Sequence, residues 1–172
     1  MLKSKKKFAA ISTATLSLLV VGAATFAQKH FMLSGALRPE VKMQLSGSVE
    51  RDSARVALDK STVINPGEIL DWIMTSENEG TAPALDYKTV GHIPRGTEFV
   101  PGSAKADGAK TVFSIDGGKS FSPQPMIEGK QADGSTKRVP APSAMYTEIR
   151  YEWADPLSQG SKLSASYKVR VK

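Results

Sequence analysis

Hydrophobic and polar side chains alternate one for one at the C-terminal end of the chain. Leu163, Ala165, Tyr167, Val169 and Val171 take one set of positions; Ser164, Ser166, Lys168, Arg170 and Lys172 take the other. The segment before it repeats the pattern, with Thr147, Ile149, Tyr151 and Trp153 opposite Glu148, Arg150 and Glu152. A period of two is what a strand needs when one face meets a core and the other meets water. Leu70, Trp72 and Met74 make a third inward row, and Leu85 with Tyr87 a fourth. Met43, Leu45 and Val49, followed by Ala54, Val56 and Leu58, predict a hairpin that turns at Arg51-Asp52.

Turn residues recur between these rows, among them Asn65-Pro66-Gly67, Asn78-Glu79-Gly80, Pro94-Arg95-Gly96, Asp116-Gly117-Gly118 and Gln159-Gly160. They leave runs of strand length rather than helix length. No useful helical period appears after residue 27. The expected fold is all-β, about seven or eight antiparallel strands between Val41 and Val171, packed as an immunoglobulin-like β-sandwich, with a barrel as the alternative. Trp72 or Trp153 is expected to anchor the core. Residues 121–143 hold four prolines and two glycines. They predict a long loop with at most one short strand, around Met126-Ile127.

The N-terminus has a different pattern. Residues 1–7 carry four lysines and no acid, and residues 8–27 carry no charged side chain. A basic start, an apolar stretch and small residues before Gln28 read as a secretory signal cut after Ala27. The stretch also approaches the length of an uncleaved membrane anchor. The predicted organisation is therefore a signal peptide or N-terminal anchor over 1–27, a spacer over 28–40 and a β domain over 41–172. The location follows: exported, whether periplasmic, on the cell surface, secreted, or membrane-tethered. Membrane contact is expected only through residues 8–27, if they are kept.

Composition sharpens this picture. The whole chain has 172 residues and a formal charge of +6. Without residues 1–27, 19 basic side chains face 17 acidic ones, a net +2. Those charges are spread along the strands, so no basic footprint for nucleic acid is expected. The chain has no cysteine. That excludes disulfides, thiolate metal sites, iron–sulfur clusters, a cysteine nucleophile and lipoprotein anchoring.

Three blocks of the β domain carry a family resemblance. Pro66-Gly67 leads through Trp72-Ile73-Met74-Thr75 to Asn78-Glu79-Gly80. Ile93-Pro94-Arg95-Gly96-Thr97-Glu98-Phe99-Val100-Pro101-Gly102-Ser103 follows, then Phe113-Ser114-Ile115-Asp116-Gly117-Gly118. From about Asn65 to Val171 this order resembles the conserved-repeat domain of bacterial surface and envelope proteins, catalogued as domain of unknown function eleven. The resemblance implies an immunoglobulin-like sandwich with extracytoplasmic structural or interaction roles and no known active site. Here there is one copy rather than a tandem array. The glycines at 67, 80, 96, 102 and 117 are expected at turns that need positive φ.

His30 and His92 are the only histidines, and neither has a sequence cue for a catalytic serine partner. Gly118-Lys119-Ser120 ends like a phosphate loop, but Phe113 stands where that motif needs glycine. Asp107, Asp116 and Asp133 each precede a glycine without the dense acidic spacing of a calcium loop. Glu148 and Glu152 share one strand face with Arg150 between them, a charge ladder rather than opposed catalytic carboxylates. No catalytic residue, metal ligand or cofactor is therefore expected.

Two function classes remain. The first is a non-enzymatic envelope or secreted protein with a structural or protein-interaction role. The second is a carbohydrate-binding module, using Phe121 and an outward Tyr146 as platform residues. The partner is accordingly an envelope protein or a glycan, and the expected interaction surface is Phe121, Tyr146, Glu148, Arg150 and Glu152.

Overall fold

The computed structural model describes residues 37–52, 54–132 and 134–172. The predicted signal or anchor and most of the spacer lie outside the described residues. Among those described, no helix is long and apolar enough to cross a membrane.

The β domain is all-β and every sheet pairing is antiparallel. Its strands are β1 (Val41–Arg51), β2 (Ala54–Ala57), β3 (Ile69–Asn78), β4 (Lys88–His92), β5 (Thr97–Phe99), β6 (Lys105–Ala106), β7 (Ala109–Ser114), β8 (Met126–Lys130), β9 (Thr136–Pro140), β10 (Glu148–Trp153) and β11 (Lys162–Val171). A six-stranded sheet runs β2-β1-β3-β11-β5, with β6 also on β11; a three-stranded sheet runs β4-β10-β7; β8 and β9 form a separate pair.

The rows read from the sequence form one core between the two larger sheets. Val49, Leu70, Met74, Ala165, Tyr167 and Val169 come from the six-stranded sheet, and Ile149, Tyr151 and Trp153 from the three-stranded one; all are buried. Trp153 is the better buried of the two tryptophans. It lies 5.8 Å from Tyr87 and its Nε1 donates to Asp107 O at 2.9 Å. The Arg51-Asp52 hairpin pairs Arg51 with Ala54.

Three expectations change. Leu85 is exposed in a turn, and the inward row of β4 is Thr89 and Gly91. The strands among the described residues number eleven rather than seven or eight. Part of the difference is the short β5 and β6, which pair with successive parts of β11. The rest is β8 and β9, which make a hairpin of the stretch expected to be a loop. Pro125 and Pro140 stand at its open end, where a missing backbone donor costs little. Gly80, finally, is not at positive φ.

Tyrosine hydroxyls tie the sheets together. Tyr151 Oη donates to Ser166 O, and Tyr167 Oη to His92 O, each at 2.6 Å. Burial pushes both phenols well above the usual tyrosine range; the Tyr167 charge adds to this at Tyr151, and the Glu148 carboxylate at Tyr167. Free tyrosines ionise near pH ~10. The stability these groups contribute is complete below that pH and is lost as pH rises toward their folded values. Alkaline titration should therefore show tyrosinate absorbance and loss of sheet circular dichroism rising together above pH ~10. Independent ionisation of all four tyrosines with the sheet signal intact would contradict this.

Candidate functional site

Alternation along β10 turns Glu148, Arg150 and Glu152 away from the core, and the structure brings Phe121 to the same face. Arg150 sits over Phe121, its guanidinium carbon 4.0 Å from the ring centroid, and its Nη2 lies 2.5 Å from Glu152 Oε1. Glu148 Oε1 is 2.8 Å from His92 Nδ1. The segment after β7 turns back alongside β7, on the edge away from β10, through paired backbone bonds between Phe113 and Ser122 at 2.8 and 2.9 Å, which places Phe121 on this face. Val112, the register partner of Arg150, is consequently buried on the outward side. Four of the five expected residues thus lie half-buried on one face, with Arg150 joining Phe121 to Glu152 and Glu148 paired to His92.

Tyr146 departs from the set. The 3-10 turn Ser143–Met145 interrupts the strand phase just before it. Its ring turns inward instead, 4.9 Å from Phe113 and 5.8 Å from Phe99. The platform reading needs open aromatic faces, whereas Phe121 is capped by Arg150 and Tyr146 packs in this cluster.

The Asp116 turn is closed on itself as well. Asp116 Oδ1 accepts from Ser114 Oγ at 2.7 Å and from Ser120 N at 2.9 Å; Oδ2 accepts from Ser120 Oγ at 2.6 Å. The Ser120 hydroxyl and amide, then Ser114, hold its carboxyl well below the usual range. Among the described residues, no three His, Cys, Asp or Glu side chains are grouped to hold a metal.

A second region was not marked out in the sequence. Among the described residues the three-stranded sheet ends at β4, whose strand pairing is with β10 alone. Ile93 N donates to Thr147 O at 2.9 Å and Trp153 N to Tyr87 O at 3.1 Å. These bonds fix the phase of the ladder: residues 87, 89, 91 and 93 turn their backbone groups toward β10, while Lys88, Val90 and His92 turn theirs to the open side. On that side only the His92 carbonyl is engaged among the described residues, by Tyr167.

Below this edge an apolar cleft of about 270 Å³ opens, lined by Met43, Leu45, Trp72, Val90, Pro94 and Tyr167. Met43 and Leu45 belong to the inward row of β1, yet they are 53% and 56% exposed. No strand among the described residues covers their side of the core. Thr89 Oγ1 reaches Met43 Sδ at 3.2 Å and Met74 Sδ at 3.9 Å. Trp72 Nε1 is buried with no hydrogen-bond partner among the described residues. Inward positions as small as Thr89 and Gly91, beside two long apolar side chains on β1, were the available signal for such a gap.

No protein-family model, curated protein or solved structure matches the chain. What can be said of its role therefore rests on its own residues and geometry.

Proposed function

We propose that this chain is an exported, non-enzymatic protein of the cell envelope or secreted space, built as an immunoglobulin-like β-sandwich and working in a structural or protein-interaction role. The observation that carries the proposal is the open β4 edge above an apolar cleft. Unpaired strand edges recruit extended polypeptide, and natural proteins usually blunt those that have no partner. The lysine-led apolar N-terminus supports export, and the Pro-Gly turn blocks support kinship with the conserved-repeat domain of envelope proteins. The protein-interaction reading is preferred to the carbohydrate one because Arg150 covers a face of Phe121 and the Tyr146 ring packs against Phe99 and Phe113.

Fractionation of the source cells, with N-terminal sequencing of the recovered chain, tests the export step. The expected product lies outside the cytoplasm, either starting at Gln28 or held in the membrane with the β domain accessible to external protease. Recovery in the cytoplasm alone, with residues 1–27 intact, would refute the proposal.

A further inference from the structure

We infer that β4 is completed by one extended segment of another polypeptide, acidic at its ends and apolar at its inward positions, which pairs with Lys88–His92 and fills the cleft over Met43 and Leu45. The inference rests on the interaction reading and identifies the ligand of that site.

The backbone supplies the pairing. Lys88, Val90 and His92 present N–H groups, and Lys88 and Val90 carbonyls, on a side where no described residue pairs with them. Prolonging the ladder would satisfy these groups in register. The side chains then alternate by the period of a strand. Partner residues opposite Thr89 and Gly91 point inward onto Met43, Leu45 and Trp72, where the wall is apolar. Those opposite Lys88, Val90 and His92 face outward.

Charge selects the outward residues. Lys88 and Arg95 are exposed and have no ion-pair partner among the described residues, and Glu152, the register partner of Lys88, is held by Arg150. His92 offers its second ring nitrogen, the first being engaged by Glu148. Asp86 sits in the turn before the strand, outside the span that would pair. A carboxylate opposite Lys88 and an acceptor opposite His92 complement this edge. A like charge there costs free energy.

The occupant is one strand rather than a second copy of the chain. Thr89 lies against Met74 of β3 and Met43 of β1, so β1 projects past the β4 edge. Two copies joined β4 to β4 would drive these projecting strands into each other. The same projection forms a floor for a single added strand, which needs about 5 Å of width.

The test uses the full chain and a capped Glu-Leu-Val-Leu-Glu peptide, with Lys-Leu-Val-Leu-Lys and Glu-Leu-Pro-Leu-Glu as controls. Binding is read by tryptophan emission and by amide hydrogen exchange at Lys88, Val90 and His92. The acidic peptide should bind about tenfold tighter than the lysine one and protect these amides; the proline peptide should do neither. Lys88→Glu should reverse the charge preference. Val90→Pro should abolish binding without lowering the thermal midpoint, because the lost N–H faces the open side.

Equal binding of the proline peptide, no binding at millimolar concentration, or a dimer whose Val90 amide is already protected would each overturn the inference. None of these readouts depends on where the cell keeps the chain. A cytoplasmic chain that binds the peptide would therefore refute the proposed export and leave this inference standing.

Discussion

Replacing Asn78 by alanine is expected to lower stability by about 3 kcal/mol and the thermal midpoint by roughly 10 °C. Asn78 is fully buried at the end of β3 and satisfies its whole side-chain amide. Its Nδ2 donates to Ala82 O at 2.8 Å and to Leu157 O at 2.9 Å, while Oδ1 accepts from Glu40 N at 3.1 Å and from Gly80 N at 3.0 Å. One side chain thus joins the entry to β1, the loop after β3 and the loop between β10 and β11. Removing it takes a partner from two donors and two acceptors, of which Gly80 N and Leu157 O belong to buried residues.

Asn78→Asp separates this account from a simple loss of volume. It keeps the shape and both acceptor roles but turns an oxygen toward the Ala82 and Leu157 carbonyls. At neutral pH it should be more damaging than alanine, since a buried carboxylate would face two oxygens. It should recover in part at acid pH, where the protonated group regains one donor. Thermal melts of both variants across pH check this. Equal and pH-independent losses would mean that Asn78 only fills space.

Asn78 also marks how far the sequence could be read. Its place beside Gly80 indicated a turn, and its amide does bind within that turn. The bonds to Glu40 and Leu157 required the fold. Alternation gave the buried and outward faces of β10 and β11 residue by residue, because each strand has one side on the core and one toward solvent. The one short strand expected around Met126-Ile127 is the start of β8, but β9 and the hairpin were missed, since Glu128, Lys130, Thr136, Lys137 and Arg138 are all exposed and no buried row exists to detect.

The candidate sites divide in the same way. Adjacency of Glu148, Arg150 and Glu152 follows from the period of a strand. The place of Phe121 beside them does not, since the segment that carries it is held against the edge of β7 through backbone bonds between Ser122 and Phe113. The cleft beside β4 was illegible because Met43 and Leu45 have the same signature as the buried Val49. Whether an inward row is covered depends on how many strands the facing sheet contains. Among the described residues that sheet stops at β4.

Gly91→Ala should be the second severe variant, and it acts on that same edge. A Cβ at position 91 would lie 2.5 Å from Tyr167 Cε1, 3.0 Å from Tyr167 Cζ and 3.1 Å from Ile149 Cγ2. These neighbours have little room to yield. Ile149 is fully buried, and the Tyr167 ring is held by its hydroxyl bond to His92 O. Overpacking of this kind costs about 3 kcal/mol. Truncating the ring should remove the conflict: Tyr167→Leu is destabilising alone through lost packing and the lost bridge between sheets, but adding Gly91→Ala to it should cost little more. Denaturant unfolding of the two single variants and the double variant measures that coupling. Strict additivity would show that the Gly91 backbone does not need to approach the Tyr167 ring, and that β4 is not held over β11 by this contact.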